Sequence, residues 1–426
     1  MSISERGLNR ATLARQMLLE RARIPAPEAV RRLVGLQAQA PATPYLAIWN
    51  RVAGFDGDSL DEAFLSGTLV KATLLRITLH AVHADDHPLL HRAVLPVLRG
   101  ARLGDTRFTR SGLTVADADA LLPELIDFAA RSRTPAEIEA MLAARLGGER
   151  PGAWWALRTF AALHHTPTGG PWSFASRAFH AAPVPGSAFH AAPVPASSLE
   201  SSRVAPVPAL SLESSRVAPD PVLSVESSRA VPGSGLSAEP SRDEAIQRLV
   251  LRYLTAFGPA TIADIRQFTL IPAADLRAAV LALGDQLSHL PGNRLYDVPG
   301  APLPPEDAPA PPRLLPMWDS ILLAYADRSR VIPPGYRRLV IRMNGDVLPT
   351  LLVDGYVAGV WRAVPGGIEA TAFHPLSRRV WDALAAEAAS LSAFLTAREP
   401  LVYSRYAHWW SKPLPAAEVR LLPAYP

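Results

Sequence analysis

The sequence predicts a mainly α fold with β: three tandem winged helix-turn-helix motifs followed by a C-terminal β-barrel-like domain. Three observations lead there. Apolar residues at helical spacing come in successive groups of short helices, and each group runs into an extended segment. Beyond residue 313 the pattern changes to short β-branched and apolar runs separated by Asn-Gly and Asp-Gly turns. Between the second and third helical groups, residues 176–240 carry short Pro- and Ser-rich repeats with no helical or strand period. The resulting boundaries are 1–110 for winged helix 1, 111–175 for winged helix 2, 176–240 for an insertion, 241–301 for winged helix 3 and 313–426 for the C-terminal domain.

In the first unit, Leu13, Met17, Leu18 and Leu19 give residues 12–22 an apolar helical face, which Pro25 and Pro27 end. Residues 28–39 read as a second helix, with Val30, Leu33, Val34 and Leu36 on its apolar side, and residues 45–52, bearing Trp49, as a third. Ser59, with Glu62 three residues on, marks a further helix start. Residues 70–82 read as a strand pair. His80, His83, His87 and His91 have spacings that a metal could use. Asp85-Asp86-His87-Pro88, however, is a helix start that leaves His87 and His91 on the polar side, so no metal site is expected.

The second unit reads as helices at 116–131, at 134–146 behind a Thr134 cap with Glu137, and at 152–165 with Trp154, Trp155, Leu157, Phe160 and Leu163; Trp172-Ser173-Phe174 follows as a strand. The aromatic cluster reads as core. In the insertion, residues 178–185 recur as 188–195 and residues 199–206 as 212–219, with a variant at 225–232. This segment is expected to be disordered and grown by local duplication. Its four arginines and five acids leave it at −1 and the remainder at +5.

The third unit reads as helices at 244–257, 263–268 behind Thr261, and 273–283, with a wing at 287–298 broken at Pro291-Gly292-Asn293. The third helix of such a unit enters the major groove, and here it carries Arg277. Winged helices also serve as protein-contact modules, so either use stays open. A Pro-rich linker at 302–312 leads to strands at 321–325, 338–343, 348–353, 356–363 and 368–372, then a helix at 377–397. Short antiparallel strands with tight turns predict a small barrel or half-barrel.

A chain of 426 residues suggests about two to four domains. No apolar run approaches the roughly 18 to 20 residues that span a bilayer. The opening residues lack the apolar segment of a signal peptide, and the cytoplasm is expected. With no cysteine there is no disulfide, thiolate metal site or cysteine nucleophile. The net charge is +4, and 41 of the 43 basic residues are arginine, the lysines being Lys71 and Lys412. A GC-rich genome would produce that bias alone, but the arginine fork also suits phosphate.

Gly35-Leu36-Gln37-Ala38-Gln39-Ala40-Pro41 leaves two amides two residues apart before a proline. Taken alone it is ordinary helix composition, and a solvated helix end with two polar side chains accounts for it.

The order of elements, together with Gln37-Ala38-Gln39, the stretch Leu75 to His80, the stretch Leu315 to Arg328, and Asn344-Gly345-Asp346 through to Trp361-Arg362, resembles the AlkZ-like DNA glycosylases. That tandem winged-helix group includes an azinomycin self-resistance enzyme. The resemblance covers nearly the whole chain except the insertion, which falls at the wing of the second unit where it could cover or widen a DNA channel. It implies that Gln37 and Gln39 are the catalytic pair, in the branch with two glutamines rather than Gln and Asp. It further implies a monofunctional DNA glycosylase acting on N7-alkylated purines in duplex DNA, with bulky adducts and interstrand crosslinks among the substrates to consider. The setting would be DNA repair or self-resistance to an alkylating agent, and the enzyme a monomer without a cofactor.

The chemistry is consistent with that. An amide is no general base near neutral pH, but it can hold a water or a sugar. A purine alkylated at N7 is already cationic and leaves readily, so positioning and electrostatics suffice. Arg76, Arg277, Arg328, Arg330 and Arg337 are the candidate phosphate contacts. Asp319 and Asp327 read as structural partners rather than stabilisers of a sugar cation. No lysine is placed by a motif to form a Schiff base, so strand cleavage is not expected. The competing readings are a non-enzymatic winged-helix DNA-binding protein, in which both glutamines are replaceable, and a protein-interaction scaffold.

Overall fold

The computed structural model describes residues 3–174, 223–225, 240–290, 294–412 and 414–424. Helix α1 (Glu5–Arg15) starts well before the predicted residue 12, because the Ser4 side chain accepts the Gly7 N–H as a cap. Met17 at φ 56° then turns the chain away. Helix α2 (Ala26–Arg32) begins behind Pro25. The predicted continuation of this helix to residue 39 is not observed. Val34 takes φ 67°, and the chain becomes strand β1 (Leu36–Gln37). Gly35 allows the crossing: a Cβ there would lie 2.8 Å from the Val82 side chain.

Next come α3 (Ala42–Trp49), α4 (Asp58–Leu65), β2 (Leu69–Thr73), β3 (Leu79–His83), α5 (His87–Leu103), α6 (Thr106–Thr109), α7 (Val115–Phe128), α8 (Pro135–Leu146), α9 (Ala153–Phe160), β4 (Leu163–His165) and β5 (Leu223–Val225). The five strands form one antiparallel sheet in the order β1-β3-β2-β4-β5, so the extended segments of the first two helical groups share a single ladder. The helix predicted to reach His165 therefore stops at Phe160, since Leu163–His165 pair with β2 and β5. Residues 172–174 are not a strand. Ser173 has φ 57°, while Trp172 and Phe174 pack on Tyr45 and Phe64 with ring centroids 5.2 and 4.9 Å apart. The insertion predicted to be disordered lies outside the described residues except for β5, which is a strand against expectation. His87 and His91 also depart from expectation. His87 is buried, and His91 Nε2 lies 3.0 Å from the Phe160 carbonyl, so this side of α5 faces protein.

The third group follows the prediction closely: α10 (Arg242–Phe257), α11 (Ile262–Thr269), α12 (Ala273–Leu283) and the hairpin β6 (Ser288–Leu290) with β7 (Leu295–Asp297). Thr261 and Asp264 cap α11 reciprocally. Beyond the linker lie β8 (Arg313–Leu315), α13 (Arg337–Val340), β9 (Thr350–Val353), β10 (Tyr356–Val364), β11 (Gly367–Ala372), α14 (Arg378–Thr396) and β12 (Glu418–Pro423). These strands form an antiparallel sheet in the order β12-β11-β10-β9-β8, with β12 and β8 at its two edges. Of the predicted barrel or half-barrel, the closed form is not observed: among the described residues the sheet is open. Two predicted strands are absent. Residues 321–325 enter through a 3₁₀ turn (Ser320–Leu322) under an Asp319 cap, and residues 338–343 overlap α13. Ile321, Leu322, Leu323, Ala324 and Tyr325 are all buried, which is why their run shows no alternation to read.

Helix α1 and the end of α3 bind these parts together through buried polar side chains. Arg15 donates to both Asp297 oxygens at 2.6 and 2.8 Å, and Gln16 donates to the Ala256 carbonyl at 2.8 Å. Asn9 Nδ2 donates to the carbonyls of Arg330 and Gly355, both at 2.8 Å. Arg51 grips Asp319 with two bonds of 2.8 Å, both side chains having no exposed surface. Among the described residues, no helix is long and apolar enough to cross a membrane.

Candidate active site

Strand β1 is two residues long because it only docks onto β3, with Leu36 opposite Ala81 and Gln37 opposite His80. That pairing sends Gln37 and Gln39 to the same side (period two along an extended segment). Gln37 is 4% exposed and Gln39 is half-buried. The Arg76 Nη2 donates to Gln37 Oε1 at 2.9 Å, and the Leu79 main-chain N–H donates to Gln39 Oε1 at 3.0 Å. Both partners can only donate, which fixes the oxygen end of each amide. Among the described residues neither Nε2 meets an acceptor, and each carbonyl oxygen keeps a second lone pair.

Arg76 stands in a left-handed conformation, φ 54°, inside the turn between β2 and β3. Its guanidinium also lies 3.4 Å from His80 Nε2 and 5.1 Å from the centre of the Phe268 ring. Burial, helped by nearby Arg328, lowers its pKa to about 10. His80 Nδ1 sits 2.9 Å from the Thr78 carbonyl, which makes Nδ1 the protonated nitrogen and Nε2 the acceptor for Arg76. Burial and the Arg76 charge lower the His80 pKa to about 3, so it is neutral at physiological pH.

The two glutamines line a cleft of about 350 Å³ with Thr78, and the facing wall comes from the C-terminal part: Trp318, Gly345, Asp346, Arg405, Tyr406 and His408 among others. The sequence reading missed this wall. Residues 404–411 fold as a 3₁₀ helix, yet the dense aromatic and basic run Arg405-Tyr406-Ala407-His408-Trp409-Trp410 was a visible signal. Tyr406 is buried edge-on against Trp318 at 5.4 Å, and burial with the nearby Asp346 charge pushes its pKa up to about 12.

The predicted phosphate contacts separate into two kinds. Arg277 on α12 and Arg337 on α13 are exposed, as a phosphate contact requires. Arg328 is half-buried, and its Nε has no partner among the described residues. Arg76 and Arg330 depart from the expectation. Arg76 is engaged with Gln37, while Arg330 is buried, donates to the Pro259 carbonyl at 2.8 Å and covers the Tyr325 ring. Both fit an internal role because their turns face neighbouring elements rather than solvent. Asp319 is occupied by Arg51, while Asp327 is exposed and accepts the Ser329 N–H at 2.9 Å. Among the described residues no cluster of His, Asp or Glu is arranged to hold a metal.

The family model for "DNA glycosylase AlkZ-like" proteins matches residues 30–394. An interstrand DNA cross-link repair glycosylase of Streptomyces sahachiroi is 30% identical over an alignment of 164 residues that covers 35% of this chain and 43% of that protein. The chain thus aligns with less than half the length of that relative. The solved structure of the S. sahachiroi DNA glycosylase AlkZ superposes with a TM-score of 0.70 at 23% identity, covering 94% of this chain and 99% of that one.

Proposed function

The chain belongs to the AlkZ-like DNA glycosylase family, and from that premise we propose that it is a monofunctional DNA glycosylase whose catalytic pair is Gln37 and Gln39. Its substrates are N7-alkylated purines in duplex DNA, with bulky adducts and interstrand crosslinks among those to test, in repair or in self-resistance to an alkylating agent. The observation that carries this reading is the state of the two amides. Each is held by its oxygen, and each keeps an N–H₂ group and an oxygen lone pair for a ligand in one cleft.

The reaction needs little else from these side chains. The C1′–N9 bond breaks with its electron pair passing to the cationic purine, which leaves as the neutral base. The carbonyl oxygens present the negative end of their dipoles to the sugar and accept a hydrogen bond from water; the N–H₂ groups donate to sugar or phosphate oxygens. Arg76 orients Gln37, and the β3 backbone orients Gln39. An open cleft suits an adduct too large to be flipped into a closed pocket. Exposed Arg277 and Arg337, with half-buried Arg328, are the contacts we assign to phosphate.

The test is release of N7-methylguanine from methylated duplex DNA by wild type, Gln37→Ala, Gln39→Ala and the double variant. Loss of release with DNA binding retained supports the reading. Equal release by all four removes the glutamines from the mechanism, and binding without release from any alkylated duplex leaves the protein a non-enzymatic DNA binder.

A further inference from the structure

The wall facing the glutamines holds a charge that two amides cannot supply. Among the residues lining the cleft, Asp346 is the single carboxylate, accompanied there by Arg405 and His408. Its Oδ2 accepts from Trp409 Nε1 at 2.8 Å and from Asn344 Nδ2 at 3.0 Å. Both donors are neutral, so they fix the carboxylate without cancelling its charge. Oδ1 has no partner among the described residues, and no arginine or lysine pairs with Asp346 among them. Of the other two carboxylates weighed from the sequence, Asp319 is committed to Arg51, and Asp327 does not line this cleft.

The turn bearing Asp346 is rigidly mounted. The Arg342 N–H donates to the Asp346 carbonyl at 2.8 Å, the Gly345 N–H donates to the Arg342 carbonyl at 3.0 Å, and Gly345 has φ 86°. Trp318 Nε1 then donates to the Gly345 carbonyl at 3.0 Å. Two indoles, Trp318 and Trp409, therefore anchor neighbouring residues of one tight turn.

Electrostatics give the arrangement a purpose. Arg76 donates to Gln37 with no carboxylate partner among the described residues, and Arg328 is close enough to lower its pKa. A sugar cation forming in front of these guanidiniums is opposed by them, and a negative charge across the cleft offsets that opposition. We propose that Asp346 is a catalytic carboxylate of this site, facing the developing charge at C1′ and taking a proton from the attacking water. This rests on the glycosylase reading above. Water oxygen forms the new bond to C1′ as the purine departs with the C1′–N9 electron pair, and the water proton passes to Oδ1 and then to solvent.

The test has a binding arm and a kinetic arm, with wild type, Asp346→Asn and Trp409→Phe. Asn at 346 keeps an oxygen for the Trp409 donor, and thermal unfolding confirms that both variants are folded. In the binding arm, duplexes carry either a positively charged pyrrolidine in place of the sugar or its neutral tetrahydrofuran counterpart. Wild type is expected to favour the pyrrolidine about tenfold or more, Asp346→Asn to lose that preference while keeping its affinity for tetrahydrofuran, and Trp409→Phe to retain part of it. In the kinetic arm, Asp346→Asn is expected to release N7-methylguanine about a hundredfold more slowly. An unchanged pyrrolidine preference in Asp346→Asn, no preference in wild type, or release within threefold of wild type overturns the proposal. Absence of release from wild type counts against the glycosylase reading, while the pyrrolidine arm still decides on Asp346.

Discussion

Arg51 and Arg76 both leave the N-terminal part of the chain to meet a polar side chain, and they are treated in opposite ways. Arg51 finds Asp319, two bonds of 2.8 Å join them, and water reaches neither. Its charge is cancelled where it stands. Arg76 finds an amide oxygen, a neutral imidazole and the face of Phe268, and among the described residues no carboxylate pairs with it. Its charge is left uncancelled beside Gln37, which lines the cleft. The first contact is a fastening between α3 and the C-terminal part. The second orients the Gln37 amide, which we propose as one of the catalytic pair, and leaves a positive charge without a neutralising partner among the described residues. Similar distances thus conceal different work, and the presence or absence of a neutralising partner tells them apart.

Breaking the fastening should give the largest effect. Asp319→Asn is expected to cost about 3–5 kcal/mol in urea unfolding, since it strands a buried guanidinium. A loss under 1 kcal/mol would mean that water reaches the pair. Arg76→Met should do the reverse, leaving the midpoint of unfolding nearly unchanged while slowing N7-methylguanine release about a hundredfold, equivalent to ~2.7 kcal/mol. If stability falls and the rate does not, Arg76 is another fastening.

The Arg76 neighbourhood also predicts an acid limit. The His80 pKa is about 3 in the folded protein against 6.5 for the free side chain. The unfolded chain therefore binds the extra proton as pH falls from 6.5 toward 3, and stability present in full above that window is lost within it. The loss from this group is about 2 kcal/mol at pH 5, and His80→Gln should flatten the stability profile measured there. The smallest effect belongs to the exposed arginines. Arg277→Ala and Arg337→Ala should each weaken duplex binding a few-fold and reduce the slope of log affinity against log salt by about 1. Sequence-selective loss instead would move Arg277 from backbone contact to base contact.

The same contrast explains what the sequence disclosed. The third helical group was legible almost residue by residue, because capping residues such as Thr261 and Ser241 carry their structure locally. The strand at Leu36–Gln37 was not legible, since those residues are equally good in a helix and are extended only because β3 offers a partner edge. The open C-terminal sheet escaped for a related reason: β12 arrives from beyond α14, and no local pattern announces which edge a late strand will take. At the site, the glutamines could be named from a resemblance. Arg76 was assigned to phosphate because nothing in its neighbours reveals a left-handed residue that turns its side chain inward. Asp346 was visible as a turn residue within a stretch that carries the resemblance, but not as a lining of the cleft, because its setting there depends on Trp409, far along the chain.

The bond from the Leu79 amide to Gln39 Oε1 makes a side chain continue a main-chain ladder past the end of its strand. A single backbone proton thereby becomes a gauge of where Gln39 points. While the amide side chain is docked, the Leu79 proton exchanges slowly with solvent. Whenever a ligand draws the carbonyl oxygen away, that proton is exposed. Exchange at this one position, followed by nuclear magnetic resonance on catalytically silent DNA, would time the engagement of the glutamine without any chemistry taking place.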